Sequence, residues 1–436
     1  MNKTKWSLKD SSWLRALAAC PQFIDWLQLD SSIRKDSLRV TLATVISVIN
    51  GTHVSIERGP YAPADVMVAL KRLGWAIPPG EQDAHELFHV LLTSLDEETP
   101  KLARMSGCLS DALGLNSIDS NDPDSDNSDS MDIDGSSSVL SLSDLTTSIT
   151  SEDGHIGRPK TLKWRSGLNR RHRWISRSCR SLRLSGPPTP QIISHPFCGT
   201  LTSQLKCTEC GYKSVVRYDK FESLSLPLPS GMGDLGWGRH KLHQLLSNFT
   251  TAEVVNDVSC EGCNRGRDSS LPPIQSKQMK IQQFGKLPVC LCIHISRNIW
   301  HATGKMSKRQ DYVQFPIRLS LSAYTFLQAQ FLTRYFGSTS EGGSPLSYSM
   351  PSSWGTQQHI DNSQEWRHLY QLAAVVVHIG DALSGHFATY RRGHHTTTSK
   401  WFYTSDTEIR EASMDEVLRS TAYMLFYEKC LPIGTF

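Results

Sequence analysis

His386 lies in a segment suited to general-base chemistry. Residues 374–379 form an apolar run, Gly380 to Gly385 read as a polar turn, and a second strand follows from His386 to Tyr390. Gly385 lets the chain turn tightly and sets the imidazole at a strand's start. A third strand over 400–406 ends in Ser405 and Asp406, polar groups able to orient that ring. An imidazole with an orienting partner is half of a Cys/His nucleophilic site, because a thiol needs an adjacent base to become a thiolate. On His386 alone, a polar loop histidine between strands is the simpler reading.

A second chemistry is written in cysteine spacing. Cys207-x-x-Cys210 and Cys260-x-x-Cys263 each fit a tight turn that aims two thiolates at one point. Two such turns make a tetrahedral four-sulfur zinc site with no position left for water, so the metal would be structural and not catalytic. The alternative is four unliganded buried cysteines. Cys20, Cys290, Cys292 and Cys179 read as packing or as free thiols.

The elements that must carry these groups follow from composition and period. The chain has 436 residues, a formal charge of +4, 39% hydrophobic residues and eleven cysteines. That length holds one large or two medium domains, and the small charge implies no dedicated nucleic-acid or membrane binder. No apolar run reaches the 18 or more residues of a spanning helix, and residues 1–7 lack a signal-peptide core. Cysteines without a secretory signal point to a reducing compartment, so a cytosolic chain is expected.

Residues 8–107 read as helical. Ala84, Leu87, Phe88, Leu91, Leu92 and Leu95 share one helical stripe, and another helix over 11–29 is expected to break or kink near Pro21. Asp83 and Glu86, three apart, fall on one face of the first of these, where a solvated surface is the plain reading. Residues 108–194 are rich in Asp and Ser, then in Arg and Lys, and read as a disordered acidic-then-basic insertion. Residues 195–436 read as strands, with a Gly-, Ser- and Pro-rich surface insertion over 336–365. The run Leu287-Pro288-Val289-Cys290-Leu291-Cys292-Ile293-His294-Ile295 has the pattern of a strand buried on both faces. Ser413 and Glu416 form a capping box, so a short helix should precede a last strand over 421–428.

Several blocks, in order, resemble the ubiquitin-specific protease family of ubiquitin carboxyl-terminal hydrolases. Gln82-Asp83-Ala84-His85-Glu86-Leu87-Phe88 resembles its glutamine-aspartate box, the paired cysteine turns its zinc ribbon, and the segment around His386 its histidine box. Phe221-Glu222-Ser223-Leu224-Ser225-Leu226-Pro227 and the 287–297 run resemble two of its core strands. Leu17-Ala18-Ala19-Cys20-Pro21-Gln22-Phe23-Ile24-Asp25-Trp26-Leu27 is most similar to a mitochondrial outer-membrane member, whose third catalytic position is a serine. The resemblance implies an α+β, papain-like fold of thumb, palm and fingers, and hydrolysis of the bond after the ubiquitin C-terminal glycine. It implies His386 as general base, Ser405 as its orienter, Asp83 and Glu86 as contacts for the basic ubiquitin tail, and structural zinc on Cys207, Cys210, Cys260 and Cys263. No small-molecule cofactor is implied.

The family nucleophile belongs to a Gly-Asn-Thr-Cys-Phe-Met-Asn-Ser block at the start of the first thumb helix. Registering Ser12 and Leu14 through Cys20 on that pattern puts Leu8 at the cysteine. Loss of an N-terminal segment would explain that absence together with the absence of a membrane anchor. The expected activity is therefore a deubiquitinase at family level, in a protein-catabolism or mitophagy setting, with this chain inactive as it stands. Ubiquitin and ubiquitinated proteins are the expected partners, on the mitochondrial outer membrane for a full-length form. The alternatives are a non-catalytic ubiquitin-binding pseudoprotease and, as the remoter reading, a zinc-ribbon nucleic-acid binder using the basic stretch.

Overall fold

The computed structural model describes residues 12–29, 37–53, 64–77, 83–98, 160–161, 194–229, 238–301, 303–329, 365–382, 384–394, 399–405 and 408–430. Leu8, Asp406, nearly all of the 108–194 segment and residues 336–364 lie outside this set.

Five helices make the N-terminal lobe: α1 (Ser12–Leu17), α2 (Pro21–Gln28), α3 (Leu38–Ile49), α4 (Ala64–Arg72) and α5 (Ala84–Glu98). The break expected near Pro21 separates α1 from α2, with Pro21 opening α2 where its missing N–H costs nothing. Ser37 caps α3 by accepting from the Val40 amide at 3.2 Å. The Glu98 carboxylate, from the end of α5, accepts from the Leu38 and Arg39 amides at 2.7 and 3.2 Å, so one helix helps to cap another. The apolar stripe on α5 is buried as its period predicts, with Leu87, Phe88, Leu91, Leu92 and Leu95 at the lobe centre.

The strands follow in chain order. β1 (Trp75–Ala76) pairs in parallel with β2 (Lys160–Thr161), which lies inside the 108–194 segment. Then come β3 (Gly199–Cys207), β4 (Arg217–Phe221), β5 (Leu224–Pro227), β6 (Arg239–Lys241), β7 (Glu253–Ser259), β8 (Gln275–Phe284) and β9 (Cys290–Ser296). β10 (Asn298–Trp300) and β11 (Met306–Lys308) form a hairpin, and β12 (Tyr312–Gln314) pairs in parallel with β6. The rest are β13 (Arg318–Ser320), β14 (Leu369–Gly380), β15 (Gly385–Arg392), β16 (Trp401–Thr404), β17 (Ile409–Ala412) and β18 (Ala422–Lys429).

The large sheet has the order β17-β16-β15-β14-β18-β9-β5, with β13 on the end of β14, and a separate four-stranded sheet runs β4-β3-β8-β7. Alternation along β9 and β18 divides the large sheet between two cores. Cys290, Cys292, Met424 and Phe426 face the helical lobe, while Leu291, Ile293, Leu425 and Tyr427 face the opposite core. That two-sided burial is what the apolar run through β9 predicted. The helix Met414–Arg419 sits ahead of β18, with the Ser413 hydroxyl accepting from the Glu416 amide at 3.2 Å. The Glu416 side chain does not return to Ser413. It pairs with Arg410 and accepts from the Tyr390 hydroxyl at 3.0 Å.

Candidate functional site

The site forms where α1 lies against β15. The Thr389 hydroxyl donates to the Ser12 carbonyl at 2.8 Å. Further along the strand, the Arg391 guanidinium donates to the Ala18 carbonyl at 3.2 Å and to the Asn50 side chain. Asn50 itself donates to Ala18 at 3.0 Å. An arginine at the carbonyl end of a helix satisfies orphan acceptors and complements the dipole. These contacts fix the direction of α1: Ala18 lies beside Arg391, Ser12 beside Thr389, and the strand continues past Ser12 to His386.

The β14–β15 turn holds His386 in place. Gly380 pairs with Gly385 and Ile379 with His386. A Cβ at Gly385 would lie 2.2 Å from the His378 ring nitrogen and 2.6 Å from the Ile379 carbonyl oxygen, so only glycine allows this approach. The Lys308 ammonium, on β11, donates to the carbonyls of His378 and Gly380 at 2.8 Å each and ties the hairpin to the turn. Burial, helped by nearby Arg297, brings the Lys308 ammonium down to about 8. His386 Nε2 and Ser405 Oγ are 2.5 Å apart, so the fold brings these two side chains together. Ser405 is held at both backbone ends: its amide donates to the Glu408 carbonyl at 2.9 Å and its carbonyl accepts from Arg15 at 2.5 Å. Arg15, Arg391 and Lys308 are placed by long-range contact, and no local motif in the sequence singles them out.

Asp83 has structural work to do. Its Oδ1 accepts from the His85 and Glu86 amides at 2.8 and 3.1 Å, the bonding of an N-cap for α5. Its Oδ2 accepts from the buried Tyr423 hydroxyl. Glu86 is half-buried, and burial followed by repulsion from Asp83 raises its carboxyl. Cys20 is buried in the lobe: its thiol donates weakly to the Ala16 carbonyl at 3.6 Å and lies within 4.8 Å of Cys290 and Glu428.

The four predicted metal ligands converge at the far end of the four-stranded sheet. Their sulfurs lie within 4.8 Å of one another, with Cys207 to Cys263 at 3.8 Å and Cys210 to Cys260 at 3.6 Å. Four thiolates about 2.3 Å from a tetrahedral ion would be about 3.8 Å apart, so the arrangement could hold a metal. A Cβ at Gly262 would come within 2.5 Å of Tyr212 and 2.9 Å of the Cys210 sulfur, which explains the glycine inside the second knuckle. Hydrogen bonding from the Cys210 backbone brings the Cys207 thiol down to about 6, while hydrogen bonding within the cluster and burial push the Cys263 thiol up.

A helical lobe on a two-faced sheet, a four-stranded extension carrying clustered cysteines, and a His–Ser pair at the lobe junction define a hydrolase fold of thumb, palm and fingers. Residues 11–427 match the family described as ubiquitin carboxyl-terminal hydrolase. The chain is 30% identical over 465 residues to ubiquitin carboxyl-terminal hydrolase 30 of Xenopus tropicalis, covering 96% of this chain and 78% of that one. With the Homo sapiens protein of the same name it shares 29% over 484 residues, covering 97% and 82%. Among solved structures, the SAGA DUB module Ubp8/Sgf11/Sus1/Sgf73 bound to monoubiquitin superposes with a TM-score of 0.55 at 17% identity. That match covers 99% of this chain and 69% of the other, and it reports on the fold. The chain belongs to the ubiquitin carboxyl-terminal hydrolase family, in its ubiquitin-specific protease branch.

Proposed function

We propose that this site is the base-and-orienter half of a thiol ubiquitinyl hydrolase that cleaves after the ubiquitin C-terminal glycine. The observation that carries the reading is the 2.5 Å contact between His386 Nε2 and Ser405 Oγ, with α1 docked alongside. With Nε2 turned to Ser405, Nδ1 is the ring nitrogen that exchanges a proton with the nucleophile. The serine holds the ring through a neutral bond, weaker than one to a carboxylate. Glu86 meets the basic ubiquitin tail, and Asp83 shapes the helix start that presents it. Zinc on the four cysteines braces the fingers and performs no chemistry.

Leu8 stands at the register of the nucleophile, and this favours a second reading in which the chain as given grips ubiquitin without cleaving it. Cys20 offers no substitute, because it is enclosed beside Cys290 and Glu428. No described helix is long and apolar enough to cross a membrane. The cytosolic and mitochondrial-surface setting, with roles in ubiquitin-dependent catabolism and mitophagy, belongs to the proposal through the resemblance of residues 17–27 to a mitochondrial outer-membrane member of the family.

A ubiquitin probe with a C-terminal electrophile tests both readings. The chain as given should bind the probe without forming an adduct. A chain with the cysteine box restored at the start of α1 should form one, and His386→Ala should remove it. An adduct on Cys20, or one indifferent to His386→Ala, would refute the assignment.

A further inference from the structure

Helix α5 carries a second arrangement that the hydrolase site does not use. His85-Glu86-Leu87-Phe88-His89 has the H-E-x-x-H spacing that puts two imidazoles one turn apart on one helical face. The structure brings them together: His85 Nε2 and His89 Nε2 are 3.2 Å apart. Each lies 2.8 Å from the hydroxyl of Ser223, which enters from the connection between β4 and β5. We propose that His85 and His89, closed by Ser223, form a second metal site that takes a borderline divalent ion such as Zn²⁺ and clamps thumb helix to palm.

The three separations are compatible with one shared ion. Three atoms at those separations share a point about 2.05 Å from each, lying about 1.1 Å off their plane, and Zn–N and Zn–O bonds are about 2.0–2.2 Å long. Two imidazoles and an oxygen suit borderline transition ions better than magnesium or calcium. Behind His89, its Nδ1 lies 3.6 Å from Glu222 Oε2, within reach of charge attraction but beyond hydrogen-bond length. The His89 side chain is 40% exposed, which provides an entry path. Among the described residues no third His, Cys, Asp or Glu ligand atom joins the pair.

Without metal the same triangle is a hydrogen-bond relay, one imidazole donating to Ser223 and Ser223 donating to the other. Zinc titration of the metal-stripped full chain separates the two. The wild type should take up about two zinc ions, one on the four cysteines and one here. His89→Asn should lose one of them, and Cys207→Ser should lose the other while keeping this one. Two ions retained by His89→Asn, or no ion retained by a folded Cys207→Ser chain, would overturn the proposal. A measurement on unmutated protein guards against misfolding. Nitrogen-15 histidine spectra should show the Nε2 signals of His85 and His89 moving on Zn²⁺ addition while those of His243 stay in place. Unmoved His85 and His89 signals would equally overturn it.

Discussion

Replacing Asp83 with alanine should destabilise the protein by about 2–4 kcal/mol, with the cost arising at two places. The first is the cap of α5, where the carboxylate serves the His85 and Glu86 amides at 2.8 and 3.1 Å. Losing an N-cap typically costs about 1 kcal/mol. The second is Tyr423, whose hydroxyl donates to the same carboxylate and is only 4% exposed. A buried donor left without its acceptor costs about 1–3 kcal/mol. Asp83→Asn keeps an oxygen for the amides and a polar partner for the phenol, so it should cost less than about 1 kcal/mol. Tyr423→Phe removes the orphaned donor, so adding it to Asp83→Ala should recover part of the loss in a double-mutant cycle. Thermal and urea unfolding of the wild type, Asp83→Ala, Asp83→Asn, Tyr423→Phe and the double mutant measures all of this, with a fall in Tm on the order of 5–10 °C for Asp83→Ala. Ubiquitin titration adds an independent readout: if the charge also meets the ubiquitin tail, Asp83→Asn weakens binding while leaving stability nearly intact. Wild-type stability in Asp83→Ala would refute the cap. Equal losses in Asp83→Ala and Asp83→Asn would show that charge, not hydrogen bonding, is what matters.

Glu428 makes stability depend on pH. Burial raises its carboxyl from 4.5 to about 7, although the Gln22 amide and Arg392 at 3.1 and 3.3 Å partly oppose the shift. The folded chain therefore keeps a proton that the unfolded chain has released, and stability should decline as pH rises from about 4.5 through about 7. At about 1.36 kcal/mol per pH unit the contribution is about 3 kcal/mol. Denaturant midpoints across that range should flatten in Glu428→Gln, and an unchanged slope would count against the buried carboxylate. In the fingers, Cys207→Ser or a strong chelator should release metal and loosen β3, β7 and β8, read as faster amide exchange in those strands. Unaltered exchange after demonstrated metal loss would show that the cysteine cluster does not brace the sheet.

The sequence by itself determined whatever depends on neighbours along the chain. The paired cysteine knuckles, the apolar stripe of α5, the break at Pro21, the two-faced strand β9 and the glycine turn before His386 all follow from local spacing and period. Ser405 and Asp406 both read as polar groups able to orient His386, the choice of Ser405 rests on the family resemblance, and the fold sets its Oγ 2.5 Å from His386 Nε2. Tertiary structure decided the contacts made across long separations. Asp83 reads as a surface charge until Tyr423, 340 positions away, meets its carboxylate. His85 and His89 stand one helical turn apart in the sequence, but only the fold brings the Ser223 hydroxyl to both. Arg15 and Arg391 carry no motif, yet they orient α1 against the strand that holds His386. Period and spacing are properties of the backbone's repeat, whereas the partner of a buried polar group depends on which distant element covers it.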